Sequence, residues 1–229
     1  MTRAAKPAPP ARGRRKKGEG PDLRKAILDA AEQLFAAHGF YGVTTRQVAA
    51  EAGVDTALIH YYFGAKRDLF DAVFARRAEI LNAVRVEAMA AYEAQSGGYM
   101  TPRGVVAAFI DPLIEMSLTG EPGWKNYFRL VALVNNTPAW GGETMHHYFD
   151  PVVHQFIDTL RKVMPQAQSS DLYWGYQFLT GSMMLALSET GRIDQLSEGL
   201  CRSTDLAAVR ARLFDYCAAG FEAIVAPRS

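Results

Sequence analysis

Residues Thr44 to Lys66, reading TTRQVAAEAGVDTALIHYYFGAK, confine the chain to two short helices separated by a sharp turn. Thr44 followed three residues later by Gln47 is a capping box, which takes up orphan backbone N–H groups and starts a helix at about Thr45. That helix carries small residues (Ala49, Ala50, Ala52) that let a neighbour come close. It ends at Gly53, the residue best able to adopt the left-handed conformation of a helix stop. Val54 turns into the core and Asp55 caps the next helix. In this second helix Ile59 and Phe63 repeat at i, i+4 and face inward, leaving Thr56, Ala57, His60 and Tyr61 on the opposite side. A face that is small at its start and polar and aromatic beyond it suits a DNA major groove. The small residues let the backbone approach the groove floor, and His60 and Tyr61 reach base edges, thymine methyls or phosphates.

Upstream, Ile27, Ala30, Ala31, Leu34 and Phe35 follow the amphipathic helical template, so a helix is expected from about Asp22 to His38, ended by Gly39. Three helices are the minimum that buries so small a core. The segments ILDAAEQLFAAHGFYGVTTRQVAAEAGV and LIHYYFGAKRDLF, within Arg24 to Phe70, resemble the DNA-binding domain of the TetR/AcrR family of transcriptional regulators. The resemblance implies that the helix from Asp55 to Tyr62 is a recognition helix, with Thr56, Ala57 and His60 at base-reading positions. It further implies that Thr44, Thr45, Arg46, Tyr62 and Lys66 grip phosphate. Of Tyr61 and Tyr62, one is expected to be partly buried against the first helix. Ala65 stands where many members have a capping Ser or Asn, so the fourth helix is expected to begin less firmly.

The overall charge of +1 hides an asymmetry, since residues 1–70 carry a net +5 and the remainder a net −4. Affinity for a polyanion therefore belongs to the front of the chain. Much of it lies in residues 1–20, expected to be a disordered basic tail because Pro and Gly forbid a regular helix around the cluster Arg12, Arg14, Arg15, Lys16 and Lys17. Two readings stand: a solubilising leader, or an arm that follows the phosphate backbone with steep salt dependence. No apolar run reaches the ~18 residues of a membrane span, and the basic N-terminus lacks the apolar region of a secretory signal, so a cytoplasmic protein is expected. In that compartment Cys201 and Cys217 are expected to be helix-packing thiols, not a disulfide.

Beyond Phe70 the periodicity stays helical, with almost no strand alternation. The fold class expected is all-α with about nine helices: a helix-turn-helix head over residues 21–66 and a ligand-binding and dimerisation body over 67–229. The fourth helix places Leu69, Phe70, Val73, Phe74, Arg77 and Ile80 at helical spacing and is expected to run to around Tyr92 before Ser96-Gly97-Gly98. Pro112 and Pro151 are expected at kinks or first turns. The last two helices, about 170–189 and 205–225, are the most telling part of the body. The first is apolar nearly all round, more than one monomer's core covers, so the pair is expected to form a four-helix interface across a two-fold axis in a homodimer. Two identical heads then read a palindromic operator on double-stranded DNA, with half-sites spaced by ~34–36 Å or a multiple.

Between head and dimer helices lies a stretch rich in large side chains. Phe109, Leu113, Phe128, Val131, Trp174 and Phe178 are candidate walls of an apolar pocket, with Asn135, His146 or His147 as polar fixers. The resemblance implies a small-molecule effector, apolar or amphipathic. His147 and His154 are too far apart for a compact metal pair, and no metal or cofactor is expected. Without a nucleophile elbow, a phosphate-cradling loop or an H-E-x-x-H motif, the chain reads as a regulator and not an enzyme. The function expected is sequence-specific, effector-modulated transcriptional regulation, most simply repression. An architectural DNA-binding protein without ligand response is the alternative.

Overall fold

Asp22 caps the first helix of the computed structural model, which describes residues 22–138 and 140–226. Its carboxylate accepts the Lys25 N–H at 3.1 Å and starts α1 (Leu23–His38), which stops at Gly39. The reading of residues 1–20 as a tail lies outside the described residues. Thr44 closes the capping box with Gln47: its hydroxyl accepts the Gln47 N–H at 3.2 Å, and the Gln47 carbonyl oxygen accepts the Thr44 N–H at 2.8 Å. From it runs α2 (Thr45–Ala52), ended by Gly53 at φ +65°. Asp55 accepts the Ala57 N–H at 2.8 Å and starts α3 (Thr56–Phe63). Losing the Thr44 cap orphans a helix-start donor, so Thr44→Ala is expected to cost about 1 kcal/mol. Thermal denaturation measures it.

The next helix, α4 (Lys66–Gln95), leaves the head and becomes the spine of the body. Ala65 offers no capping side chain, yet the helix start is not bare, because the Asp68 carboxylate reaches back to accept the Ala65 N–H at 2.9 Å. Against α4 pack α5 (Pro102–Thr119), α6 (Gly123–Asn135) and α7 (Gly141–Val163); α8 (Ser169–Leu187) lies on α6 and α10 (Leu206–Val225), which in turn packs on α5, with the short α9 (Arg192–Leu196) between α8 and α10 in the chain. Ten helices are thus present among the described residues, against about nine expected. The extra one, α9, has five residues, too few to show a period in sequence. Pro112 and Pro151 both lie inside helices, α5 and α7.

One aromatic cluster binds head to body. Phe35 of α1 meets Phe70 of α4 edge-on at 5.2 Å, Phe40 meets Phe70 at 5.3 Å, and Trp140, just before α7, meets Phe40 at 5.6 Å and Phe70 at 5.2 Å. The two fully buried rings, Phe35 and Phe70, each contribute roughly 1.5–3 kcal/mol by leaving water. Two packing expectations need correction. Ile80 is half exposed, because the buried stripe of α4 turns through Phe74, Ala78, Leu81, Arg85 and Met89. Cys201 is exposed in the loop before α10, while Cys217 is buried in α10, where the apolar surroundings push its thiol up to about 11.

Candidate nucleic-acid interface and its link to the helical body

The face of α3 is split as its sequence dictates. Ile59 and Phe63 are buried, and behind them the helix rests on α2 and α4. Ala57, His60 and Tyr61 are exposed, Tyr61 at 81 %, while Thr56 is half-buried. A tyrosine that far out of the core contributes little to folding, and its ring is open to a partner. Tyr62 is the less exposed of the two tyrosines, at 40 %, with its ring edge-on to Tyr61 at 5.3 Å.

His60 Nδ1 lies 2.9 Å from the Gly64 carbonyl oxygen. A carbonyl only accepts, so this contact assigns the ring proton to Nδ1. Nε2 is left as an acceptor in the neutral ring, suited to an exocyclic amino group of adenine or cytosine. The α3 helix start is also satisfied by Asp55, so the recognition surface is held from both ends by backbone contacts.

At the start of α2 the expected phosphate contacts sort themselves. Thr45 and Arg46 stand at the helix N-terminus, where free N–H groups attract an anion; Arg46 is exposed and Thr45 half-buried. Thr44 is exposed, but its hydroxyl is engaged with Gln47, to whose carbonyl oxygen it donates at 2.8 Å. Gln47 was missed as a candidate. With its oxygen accepting twice from Thr44, its exposed NH2 group stands as a donor beside them.

Lys66 departs from expectation. Its ammonium donates to the carbonyls of Phe40 at 2.8 Å and Val43 at 2.9 Å, and sits 4.3 Å from the Phe40 ring centroid. Two of its three N–H groups are thereby spent on stapling the α1–α2 loop to the start of α4. A flexible ammonium satisfies otherwise unpaired carbonyls more cheaply than it reaches into solvent, and sequence spacing does not show loop carbonyls.

The head is joined to the body by a buried ion cluster. Glu32 of α1, 2 % exposed, accepts from Arg77 at 2.5 and 3.0 Å and from Arg76 at 2.9 Å, both on α4. Arg77 also lies 4.8 Å over the Trp124 ring of α6. Gly123 opens α6 directly against this pair: a Cβ there would fall 2.0 Å from an Arg77 nitrogen and 2.5 Å from a Glu32 oxygen. The start of α6 therefore rests on the same charges that join α1 to α4.

The expected effector walls divide. Phe109, Leu113, Phe128 and Val131 are buried in the body, with Phe109 stacked on Phe156 at 4.1 Å. Trp174 and Phe178 instead face outward, 60 % and 58 % exposed and stacked on each other at 6.0 Å. They sit on the side of α8 away from Leu172, Gly175, Leu179 and Met183, which face the core, so they are surface, and Trp174 edges an open groove of about 490 Å³ with Gln168, Ser170 and Ile224, apart from the buried walls. Asn135, His146 and His147 are exposed as well, and His146 pairs with Asp150. Polar groups buried in the body include Arg85 of α4, which was not among the expected fixers, and Tyr127 of α6, expected there as one of the large side chains. A readable signal existed in Arg85 falling at i, i+4 between Leu81 and Met89 on the apolar stripe. An open groove of about 490 Å³ runs between α4 and α5, edged by Tyr92, Arg103, Asp111 and Glu115, and none of the expected walls lines it.

Known proteins resemble the chain at both ends. The family model described as bacterial regulatory proteins, tetR family, matches residues 27–73, and that described as tetracyclin repressor-like, C-terminal domain, matches 107–220. The HTH-type transcriptional regulator BetI of Rhizobium meliloti (strain 1021) is 39% identical over 95 residues, 42% of this chain and 43% of the relative. The chain thus aligns with less than half the length of that regulator. Among solved structures, the fatty acid degradation regulator FadR from Bacillus halodurans superimposes with a TM-score of 0.60 at 15% identity, covering 89% of this chain and 98% of that one. FadR from Bacillus subtilis, solved in complex with stearoyl-CoA, gives 0.55 at 16% identity, covering 86% and 98%. These distant likenesses speak for the fold, and the two family models account for both the head and the body. The chain belongs to the TetR family of transcriptional regulators.

Proposed function

We propose that the protein is a homodimeric, effector-responsive repressor that binds a palindromic operator through α3. The observation that carries this reading is the divided face of α3, with Ile59 and Phe63 locked in the core while Ala57, His60 and Tyr61 stand in solvent. The base-reading residues are Thr56, Ala57, His60 and Tyr61. The backbone grip comes from Thr44, Thr45, Arg46, Gln47 and Tyr62, and Lys66 holds the loop beside them. Residues 21–66 form the head and 67–229 the body, with α8 and α10 as the dimerisation helices. The chemistry is binding and not catalysis, in the cytoplasm, where operator DNA lies.

Supporting the dimer, Trp174, Phe178 and Leu185 form an exposed apolar stripe on α8 at i, i+4, i+11, with Gly181 open between them, and Tyr216 is exposed on neighbouring α10. Such a stripe exceeds the scattered apolar surface of a monomer. Supporting the effector, the same fold holds stearoyl-CoA in the Bacillus subtilis FadR. A ligand that favours one arrangement of α4 and α6 changes the spacing of the two heads, because both helices bear on the Glu32 cluster of α1. A coupling of about 1–3 kcal/mol suffices for a 5–150-fold change in operator affinity.

The purified protein is expected to select from genomic fragments one palindrome, bound ~10³-fold or more above bulk DNA. Binding without that preference would return the protein to the architectural class. On the recovered operator, His60→Ala is expected to lose about 1–3 kcal/mol of discrimination at one base pair per half-site. Anisotropy titrations against single-base variants measure it, and an unaltered ranking of those variants would remove His60 from the readout.

A further inference from the structure

Arg85 is a cation placed where no group of the described chain neutralises it. It is 4 % exposed, at the centre of the body where α4, α5, α6 and α8 meet. Its Nε donates to the Phe109 carbonyl of α5 at 3.2 Å, and its guanidinium lies 4.1 Å over the Phe109 ring. Its Nη2 faces only the Met183 sulfur, at 3.7 Å. No carboxylate pairs with it, whereas Arg77 on the same helix is held by Glu32. Burial lowers its pKa to about 10, which still leaves it charged at neutral pH. Tyr127 is fully buried and its hydroxyl has no hydrogen-bond partner, and it lies close enough to Arg85 for each to influence the other's charge.

A buried charge without a counter-charge is strongly unfavourable, and so is a buried hydroxyl without a partner. Two such groups within one aromatic core are the complement of an acceptor that carries negative charge. Thioether sulfur is a weak acceptor on an adaptable side chain, so the contact at Nη2 is easily exchanged for an oxygen. One uncompensated guanidinium matches one negative charge, and its planar fork matches a carboxylate. We infer that Arg85, with the unpartnered Tyr127 hydroxyl in the same core, is the headgroup site for a monoanionic carboxylate effector. The carboxylate replaces Met183 at Nη2, and the effector's apolar body takes the space that the adaptable Met183 side chain gives up. This rests on the effector reading of the body and gives that effector a chemical class.

The full chain is titrated calorimetrically with octanoate, hexadecanoate and phenylacetate, each against its own uncharged alcohol. At least one carboxylate is expected to bind tenfold or more tightly than its alcohol. Arg85→Gln keeps a donor for the Phe109 carbonyl and removes the charge, so it is expected to abolish that preference while melting no lower than the parent. No preference for any carboxylate, or a preference that survives R85Q, overturns the inference; so does an R85Q variant that folds but melts far below the parent, which assigns Arg85 to structure. Should R85Q not fold, Tyr127→Phe decides: a severalfold loss of carboxylate affinity supports the site and unchanged affinity overturns it. Operator release, followed in parallel, separates the two readings. Arg85-dependent carboxylate binding with no effect on DNA keeps the site and sinks the effector role. Release by the alcohols without carboxylate preference keeps the effector role and overturns the site.

Discussion

Replacing Glu32 with Gln is expected to destabilise the protein by about 3–5 kcal/mol, because it strips the counter-charge from a buried guanidinium. Arg77 is 8 % exposed on its side chain and has little else to pair with, its other carboxylate contact being Glu121 at 3.8 Å. Arg76 is better protected, since Asp29 also holds it at 2.7 Å. For a chain of this size each kcal/mol is worth roughly 2–4 °C in Tm, so the loss is plain in a thermal scan. Glu93→Gln, which breaks an exposed pair with Lys162, is the control and should cost no more than about 1 kcal/mol. Adding Arg77→Met to Glu32→Gln is expected to recover part of the loss, since an apolar replacement removes the stranded charge. A Glu32→Gln protein as stable as the control variant would show that the ion cluster does not join head to body.

Replacing Trp174 and Phe178 together with Asp is expected to give a monomer in sedimentation. Both rings are already more than half exposed in one chain, so the monomer's own packing loses little. In the proposed two-fold interface α8 packs against its copy, so four carboxylates would crowd a desolvated surface. Operator affinity is expected to fall by roughly 10²–10⁴, the gain that a second linked head provides. The monomer should also lose any dependence of Tm on protein concentration. A variant that remains dimeric would place the interface elsewhere. One that is monomeric yet binds the full palindrome unchanged would remove the need for paired heads.

Much of the head was legible in advance because its signals are local. Thr44 and Gln47, Gly53, Asp55, and the pair Ile59 and Phe63 each act within four residues, the range over which caps and helix faces are decided. The carbonyl partners of Lys66 are hidden from sequence for the converse reason, since Phe40 and Val43 are more than twenty residues away. Trp174 and Phe178 were grouped with the pocket because an all-apolar helix does not announce which side turns inward. Leu172, Gly175 and Phe221 settle that: Gly175 lets the Phe221 ring of α10 lie so close that a Cβ would come within 2.3 Å of it.

From its sequence alone the chain was determined as all-helical beyond residue 20, with an outward-facing α3 on a three-helix head, since periodicity and capping are properties of neighbouring residues. Only the tertiary structure decided which charges are buried. Glu32 and Arg77, and the unpaired Arg85, are ordinary residues of amphipathic helices until packing removes their water, and it is that desolvation which makes one pair a joint and the lone guanidinium a site.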